Sequence, residues 1–264
     1  MKVTLITGAS AGIGEAIARQ IARQKENVVL VARSEQALQL LCKTLTQQFG
    51  IKADHITADL SRAESVEFVY QTCKERGYEV ESLINNAGMG SGGELITRDL
   101  QHELNMMLLN MNAMVSLTHF FLKDMALRKR GTIVNIGSLL SFIPAPYMAV
   151  YCATKAFVRS FTRAMYEEAQ PHGVHVLLFC PGLTDSNFIQ GSSVDDKTAY
   201  ALTAGVRAQT PEQVAVEFIK AYKEKRKFAI SGGFNRFGAK ILSILSDATI
   251  ARQTAKTYRK RMLQ

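Results

Sequence analysis

The chain has 264 residues, 47% of them hydrophobic and 21% charged, a length and balance that suit one large α/β domain with a full core. Its four cysteines (Cys42, Cys73, Cys152, Cys180) are widely spaced with no C-x-x-C pair, which argues against a zinc or disulfide framework and fits a reducing, cytoplasmic compartment. No apolar run approaches the about 18 residues of a membrane span. The net charge of +9 is uneven: residues 220–264 hold 12 of the 32 basic and 2 of the 23 acidic residues, so that segment carries +10 and everything before it −1.

Residues 3–6 (Val-Thr-Leu-Ile) read as a short buried strand entered directly from Met1-Lys2, so no signal peptide is expected. Thr7-Gly8-Ala9-Ser10-Ala11-Gly12-Ile13-Gly14 follows, then Ile17, Ala18, Ile21 and Ala22 at helical spacing. A strand, a glycine-rich turn and a helix start cradle phosphate. Glycines let the backbone approach a pyrophosphate, whose charge meets the free N–H groups of the helix N-terminus. The spacing is Gly-x-x-x-Gly-x-Gly rather than the Gly-x-Gly-x-x-Gly of many dinucleotide folds. A second strand at 27–32 ends in neutral Ala32 and cationic Arg33. An acid there would take the 2′-hydroxyl of NAD; Ala32 and Arg33 suit the 2′-phosphate of NADP. Ala11 adds no second cation to that clamp.

A charged helix spans about 35–49. A third strand near 53–57 ends in Ala58-Asp59-Leu60, and a helix follows at about 62–76. The fourth strand, 80–84, ends in Asn85-Asn86-Ala87-Gly88. Residues 89–97 are glycine-rich and read as a loop. One long helix is expected over about 99–127, with Asn110, Asn112 and a stripe of Met and Leu that belongs to the core. The fifth strand, 131–136, is followed by Gly137-Ser138. Pro144 and Pro146 bar a regular helix from 139–148, and a helix carrying Tyr151 and Lys155 then runs to about 169. The sixth strand, 174–179, ends in Cys180-Pro181-Gly182. Alternating strands and helices, the strands apolar enough for burial on both faces, specify an open parallel sheet covered on both sides. Ligands of such sheets lie beyond the carboxyl ends of the strands. The glycine-rich turn, Arg33, Asp59, Asn86, Ser138 and Pro181-Gly182 each follow a strand and so converge on one edge.

Tyr151 and Lys155 stand one turn apart on one helix face. A phenol titrates near 10, and a close ammonium lowers that by favouring the phenolate, so the pair is a candidate acid/base device. With these motifs in place the chain resembles the short-chain dehydrogenase/reductase family. Thr7-Gly8-x3-Gly12-x-Gly14, Asn85-Asn86-Ala87-Gly88, Asn110, Ser138, Tyr151-x3-Lys155 and Pro181-Gly182 occur in that family's order and approximate spacing, over about residues 2–231. The resemblance implies an α/β, doubly wound, seven-stranded parallel sheet in three layers (the Rossmann fold), and reversible hydride transfer between a nicotinamide and a carbonyl or alcohol.

The resemblance also implies roles. In reduction Tyr151 would give its proton to the carbonyl oxygen. Lys155 would lower the pKa of Tyr151 and hydrogen-bond the nicotinamide ribose, and Ser138 would hold the substrate oxygen. Asn110, favoured over Asn112 by the neighbouring Ala113 and Leu117-Thr118, would anchor a water that links Lys155 to solvent. NADP(H) would lie against Gly8, Ser10, Gly12, Ile13, Gly14, Arg33, Asp59, Leu60, Asn86, Ala87 and Gly88, with Asp59 and Leu60 at the adenine. Tyr151 and Lys155 would also touch it, and Thr184 and Ser186 would hold its carboxamide and pyrophosphate; Ser186 replaces the usual Thr and keeps the hydroxyl. A homodimer or homotetramer is implied as well.

Residues 187–209 would be the substrate lid. Small apolar residues at 199–206, with Phe142, Ile143, Met148 and Phe188, suggest a pocket for a substrate with an aliphatic or ring body. Thr210-Pro211-Glu212-Gln213 reads as a helix start with a capping box. That helix reaches about 223, and a seventh strand at 227–231 ends at Gly232-Gly233. The domain thus occupies 1–233, and 234–264 is a basic helical extension of it. There, Phe237, Ile241, Leu242, Leu245 and Ala248 make one apolar helical face, expected to pack on the body. Arg252, Lys256, Arg259, Lys260 and Arg261 make a basic end, either solvated or docked peripherally on an anionic membrane surface. No interleaved aromatics point to nucleic acid, and the five histidines form no metal constellation. The expected function is NADPH-dependent reduction of a ketone or aldehyde. Reduction of a 3-oxoacyl group on an acyl carrier is the alternative enzyme reading. A non-catalytic NADP-binding sensor or scaffold is the alternative outside it, disfavoured by the retention of Asn110, Ser138, Tyr151 and Lys155.

Overall fold

Successive side chains of a strand point to opposite faces, and in the first strand, β1 (Lys2–Thr7), the residues on both faces are apolar or buried. The same holds for β2 (Val28–Ala32) and most of β4 (Glu79–Asn85), β5 (Gly131–Ile136) and β6 (Val174–Cys180). Such strands need cover on both sides, which parallel sheets with crossover helices provide. The computed structural model describes residues 1–186, 188, 194–242 (Leu242 by its backbone alone) and 244–263. With β3 (Ala53–Thr57) and β7 (Phe228–Ile230), the strands form one seven-stranded sheet in the order β3-β2-β1-β4-β5-β6-β7, every neighbouring pair parallel.

One face carries Ile6, Leu30, Ile84, Val134 and Leu177. It is covered by α1 (Gly12–Arg23), α2 (Glu35–Phe49) and α8 (Pro211–Lys223) through Ile17, Ile21, Leu38, Leu45, Val214 and Phe218. The other carries Val3, Leu5, Val29, Val31, Leu83, Ile133 and Val176, covered by α3 (Ala63–Glu75) and α5 (Met114–Leu127) through Val66, Val69, Leu117 and Phe121. The start of α8 is as read from its sequence: the Thr210 hydroxyl accepts from Gln213 N, and the Gln213 side chain accepts from Thr210 N. Strand order reverses between β1 and β4, and the crevice beyond their carboxyl ends is where such folds hold a ligand.

Two expectations fail. The single helix over 99–127 is α4 (Leu100–Met107) and α5, joined through a π-helical turn at Leu108–Ala113. Such wide turns concentrate at functional sites, and this one carries Asn110. Nor does the extension present one continuous apolar face to the body. It is two helices, α9 (Gly233–Leu242) and α10 (Asp247–Met262), with Ser246 capping the second by accepting from Thr249 N at 3.3 Å. Phe237, Ile241, Leu245 and Ala248 are exposed; the Leu242 side chain lies outside the described residues, as do residues 187 and 189–193 of the expected lid. The small residues Asn235 and Ala239 turn inward instead, because space beneath α9 is tight. A Cβ on Gly182 would lie 2.1 Å from Asn235 Nδ2. The second helix docks by Ile250 and Tyr258, both buried, beside α7 (Asp196–Thr203), which falls within the expected lid.

Candidate active site

The glycine-rich turn is stitched to the end of β4. Thr7 Oγ1 accepts from Asn86 N (3.0 Å) and Ala87 N (2.9 Å), and the Asn86 amide donates to Thr7 O (2.9 Å) and Gly8 O (3.1 Å). The Asn86 side chain therefore builds the cradle rather than lying open along it. A Cβ on Gly8 would sit 2.8 Å from Ala87 Cα, and one on Gly14 2.2 Å from Gly8 O, so these glycines let backbone pass backbone. Gly12 differs: its φ is +58°, and its nearest neighbour is Ser186 Cβ, 3.4 Å from where a Cβ would stand. Ser186 thus meets the turn across the cradle. The N-terminus of α1 has no side-chain cap, which leaves the first-turn N–H groups to an anion. Ile13 packs against the core and offers that anion only its backbone.

At the far end of the crevice Arg33, Thr57, Ala58, Asp59 and Arg62 line an open groove of ≈ 510 Å³. Arg62 places a second guanidinium on this groove, in an ion pair with Glu64 at 2.7 Å. Sequence reading missed it because it comes three residues after the strand-end Asp59. Asp59 accepts from Ser61 N and Oγ at 3.1 and 2.8 Å. Leu60 is buried in the core, so its side chain does not face the groove. An uncapped helix start, a turn only glycine can make and two guanidinium groups at the ribose end fit a dinucleotide with an extra phosphate.

The catalytic candidates come together beyond β4 and β5. Ser138 follows β5 in extended backbone and accepts from Leu140 N at 3.1 Å, with its hydroxyl close enough to the Tyr151 phenol to lower its pKa. Tyr151 and Lys155 lie on α6 (Ala149–Ala169), both buried. The Lys155 ammonium donates to Ile136 O at 3.0 Å and sits 5.9 Å from the Tyr151 ring centre. Burial pushes the phenol up to about 12, against the lowering pull of Ser138, and pushes Lys155 down to about 8. The expectation that Lys155 lowers the Tyr151 pKa is therefore not met in the chain alone. The same desolvation disfavours both charged forms, and the ammonium is turned to a carbonyl.

Asn110 is buried and Asn112 exposed. The Asn110 side chain accepts from Met89 N (3.0 Å) and donates to Met89 O (2.9 Å) and to Thr154 Oγ1 (3.0 Å). Thr154 in turn donates to Tyr151 O at 2.7 Å. Thr154, absent from the sequence-based set, thus ties the π turn to the helix of Tyr151; its place inside Tyr151-x3-Lys155 was the available signal. Gly88 lies between the two groups, since a Cβ there would stand 3.1 Å from Asn110 Oδ1 and 3.6 Å from Lys155 Nζ. The Thr184 hydroxyl donates to Gly182 O at 3.2 Å. Ser10 and Ala87 stay in the cradle's own turns, half-buried.

Of the apolar pocket residues, Phe188 reaches the site. Its ring lies 5.8 Å from that of Tyr151, over Gly90, where a Cβ would meet Phe188 Cε1 at 2.8 Å. Met148 packs in the cluster around Tyr151. Phe142 does not join them; it packs on Phe228 and beneath the Arg159 guanidinium, drawn to the aromatic edge of β7.

Comparison with known proteins agrees with this geometry. Residues 2–197 match the short chain dehydrogenase family. Ketoacyl reductase HetN of Nostoc sp. is 33% identical over 224 residues, spanning 85% of this chain and 76% of that protein. A short-chain dehydrogenase from Sphingobium yanoikuyae, solved in complex with NADPH, superposes with a TM-score of 0.80 at 28% identity, covering 87% of each chain. The bulky-bulky ketone specific alcohol dehydrogenase from Comamonas testosteroni superposes at 0.75 with 29% identity, covering 87% of this chain and 86% of the other. The uncapped glycine cradle, the Ser138–Tyr151–Lys155 group and this match over most of the chain lead to one conclusion: the protein belongs to the short-chain dehydrogenase family of oxidoreductases, which act on carbonyl and alcohol groups.

Proposed function

We propose that the protein uses NADP(H) to reduce a ketone or aldehyde with a bulky apolar body. The observation that carries this reading is the Ser138–Tyr151–Lys155 group beyond β4 and β5, with Tyr151 and Lys155 buried and the Phe188 ring over Tyr151. Arg33, with Arg62 nearby, would hold the 2′-phosphate, and the first turn of α1 with Ser186 would hold the pyrophosphate. Asp59 and the Leu60 backbone would border the adenine. Thr184 would meet the carboxamide, and Lys155, which donates to Ile136 O in the free chain, would hydrogen-bond the nicotinamide ribose. When bound, the nicotinamide supplies the hydride. Tyr151 carries its proton at neutral pH, as any phenol does, with burial raising its pKa further, and gives that proton to the carbonyl oxygen. Ser138 donates a hydrogen bond to that oxygen as charge grows on it. Asn110 and Thr154 hold α6 against the π turn, and Gly88, which has no side chain, leaves Lys155 room to pass a proton onward to Tyr151. The intact group favours turnover over a sensor or scaffold. The ketoacyl and bulky-ketone specificities named for two relatives support an apolar carbonyl, with a 3-oxoacyl thioester as the second substrate class.

The test is NADPH and NADH oxidation with a panel running from small polar ketones to steroid-like, aromatic and 3-oxoacyl ones. The bulky members should be reduced, with NADPH preferred by about tenfold or more, the worth of one charge-assisted contact. Turnover confined to small polar ketones would sink the substrate reading, and a preference for NADH the cofactor reading.

A homo-oligomer, placed in the cytoplasm, belongs to the same proposal, and so does a second partner. Among the described residues no helix is long and apolar enough to cross a membrane. Yet Phe234 (75% exposed), Phe237 (63%) and Ile244 (84%) stand out near α9, with exposed Arg252, Lys256 and Lys260 on α10. Apolar burial and attraction to anionic lipid together favour peripheral docking of this segment. Full-length protein should sediment with vesicles of anionic lipid, less so at high salt, and Phe234→Ser with Phe237→Ser should remove the binding. A concentration-dependent dimer abolished by the same pair, without vesicle binding, would assign the face to a second copy instead.

A further inference from the structure

Tyr147 is a non-glycine residue with φ of +70°, a conformation that bulky side chains rarely adopt unless their surroundings impose it. It stands one residue before Met148, the N-cap of α6, and four before Tyr151. The imposed contacts come from three directions. Its carbonyl accepts from Gly93 N at 2.8 Å. Its ring stacks on Tyr258 of α10 at 3.7 Å between centres and 19° between planes. Its hydroxyl accepts from Arg259 Nε at 2.9 Å. Tyr258 is itself buried, and Arg261 Nη1 donates to Ala201 O of α7 at 3.0 Å, so α10 is tied to the lid helix and to the start of the catalytic helix together. Between α10 and the loop after β4 lies a cavity of ≈ 530 Å³, bordered by Gly92, Leu95, Tyr147, Val150, Ala251 and Ala255.

We propose that Tyr147 and Tyr258 are positioning residues for the reaction: α10, through their stacked rings, holds Tyr147 in its left-handed backbone and so fixes the first turn of α6 and the placement of Tyr151. This rests on the carbonyl-reduction reading for its kinetic consequence, though not for its structural one. The α6 start has no side-chain cap of its own. It is anchored by Met148 N donating to Ala145 O and Cys152 N to Met148 O, both within a turn of Tyr147. Without the stack, the strained residue is free to relax, and the turn that follows it relaxes too. Tyr258 acts through its ring face, so a phenyl ring should serve as well.

The test uses full-length Tyr258→Ala and Tyr258→Phe, with Tyr147→Gly as a second route. Glycine takes a positive φ without strain, so that variant removes the ring and keeps the backbone. Two measurements are made: steady-state ketone reduction, and amide hydrogen exchange over residues 145–155 of the free protein. Tyr258→Ala should lower kcat about tenfold, change KM less than threefold and speed exchange in that segment, with thermal unfolding of the remainder still cooperative. Tyr258→Phe should stay within about twofold of wild type on both measures. Tyr147→Gly should speed exchange less than Tyr258→Ala. Unchanged exchange in Tyr258→Ala would overturn the proposal even if the enzyme works as described. Faster exchange in a protein that reduces no ketone would instead leave the proposal standing and remove the functional reading. A Tyr258→Phe variant as impaired as Tyr258→Ala would also overturn it, since the hydroxyl and not the stack would then be responsible. If Tyr258→Ala fails to fold, Tyr258→Leu decides in its place: it removes the stacked ring while Tyr147 keeps its positive φ, and wild-type exchange and kcat in that variant would refute the tether.

Discussion

Replacing Tyr151 by Phe is expected to lower kcat for ketone reduction by about 10²–10⁴-fold, the usual contribution of one general acid, while leaving the fold and NADPH affinity close to wild type. The phenol is buried with Ser138 beside it, so the substitution removes one hydroxyl from a site whose remaining shape is filled by the ring. The lost partner costs about 1 kcal/mol of stability at most, too little to unfold a domain of this size. The same variant isolates the phenol's titration. Burial pushes Tyr151 up to about 12. In cofactor-free protein the wild-type-minus-Phe absorbance difference should therefore show no phenolate below about pH 10. A phenolate band near neutrality would mean that Lys155 dominates even without a ligand. Activity within about threefold of wild type in Tyr151→Phe would remove the proposed mechanism.

Gly14→Ala is the second large effect. The added Cβ would lie 2.2 Å from Gly8 O, 2.5 Å from Asn86 Nδ2 and 2.9 Å from Gly8 C. Two of these three are backbone atoms of the same turn, so no rotamer change relieves the clash. The start of α1 must move away from β1 or the turn must open. Overpacking of this kind costs about 3 kcal/mol, and the displaced N–H groups no longer converge on an anion, so NADPH affinity should fall by at least about tenfold. Gly12→Ala is a useful contrast. Its Cβ would meet only the Ser186 side chain, at 3.4 Å from Cβ and 3.8 Å from Oγ, and the penalty is that of a left-handed alanine, about 1–2 kcal/mol. Chemical denaturation and NADPH fluorescence titration of the two variants should rank Gly14→Ala as the more damaged on both measures. Equal midpoints would show that the turn is looser than its close contacts indicate.

By itself the sequence determined the architecture and which strand ends carry the candidate site. Strand-length apolar runs alternating with amphipathic helices admit few arrangements other than a parallel sheet covered on both faces. The strand-end residues Gly8, Arg33, Asp59, Asn86 and Ser138 then fall on one edge by topology alone. Tyr151 and Lys155 share a face because four residues make about one helical turn. These are local or topological consequences, and local patterns encode them. Tertiary structure decided what depends on atoms distant in sequence. The π turn at Leu108–Ala113 is fixed by Asn110 reaching Met89 and Thr154, contacts that no periodicity within 99–127 reveals. Asn86 turned from the cradle opening to Thr7 and Gly8, and Arg62 joined Arg33, because loops from different strands meet there. The direction of the Tyr151 and Lys155 shifts follows from burial, which is a property of the folded surroundings. The extension departed most from its pattern. An apolar spacing cannot tell a buried face from an exposed one. That was decided by Gly182 pressing on Asn235 and by α9 ending at Leu242 with Ser246 starting a second helix, which turned Tyr258 onto Tyr147, one turn ahead of Tyr151.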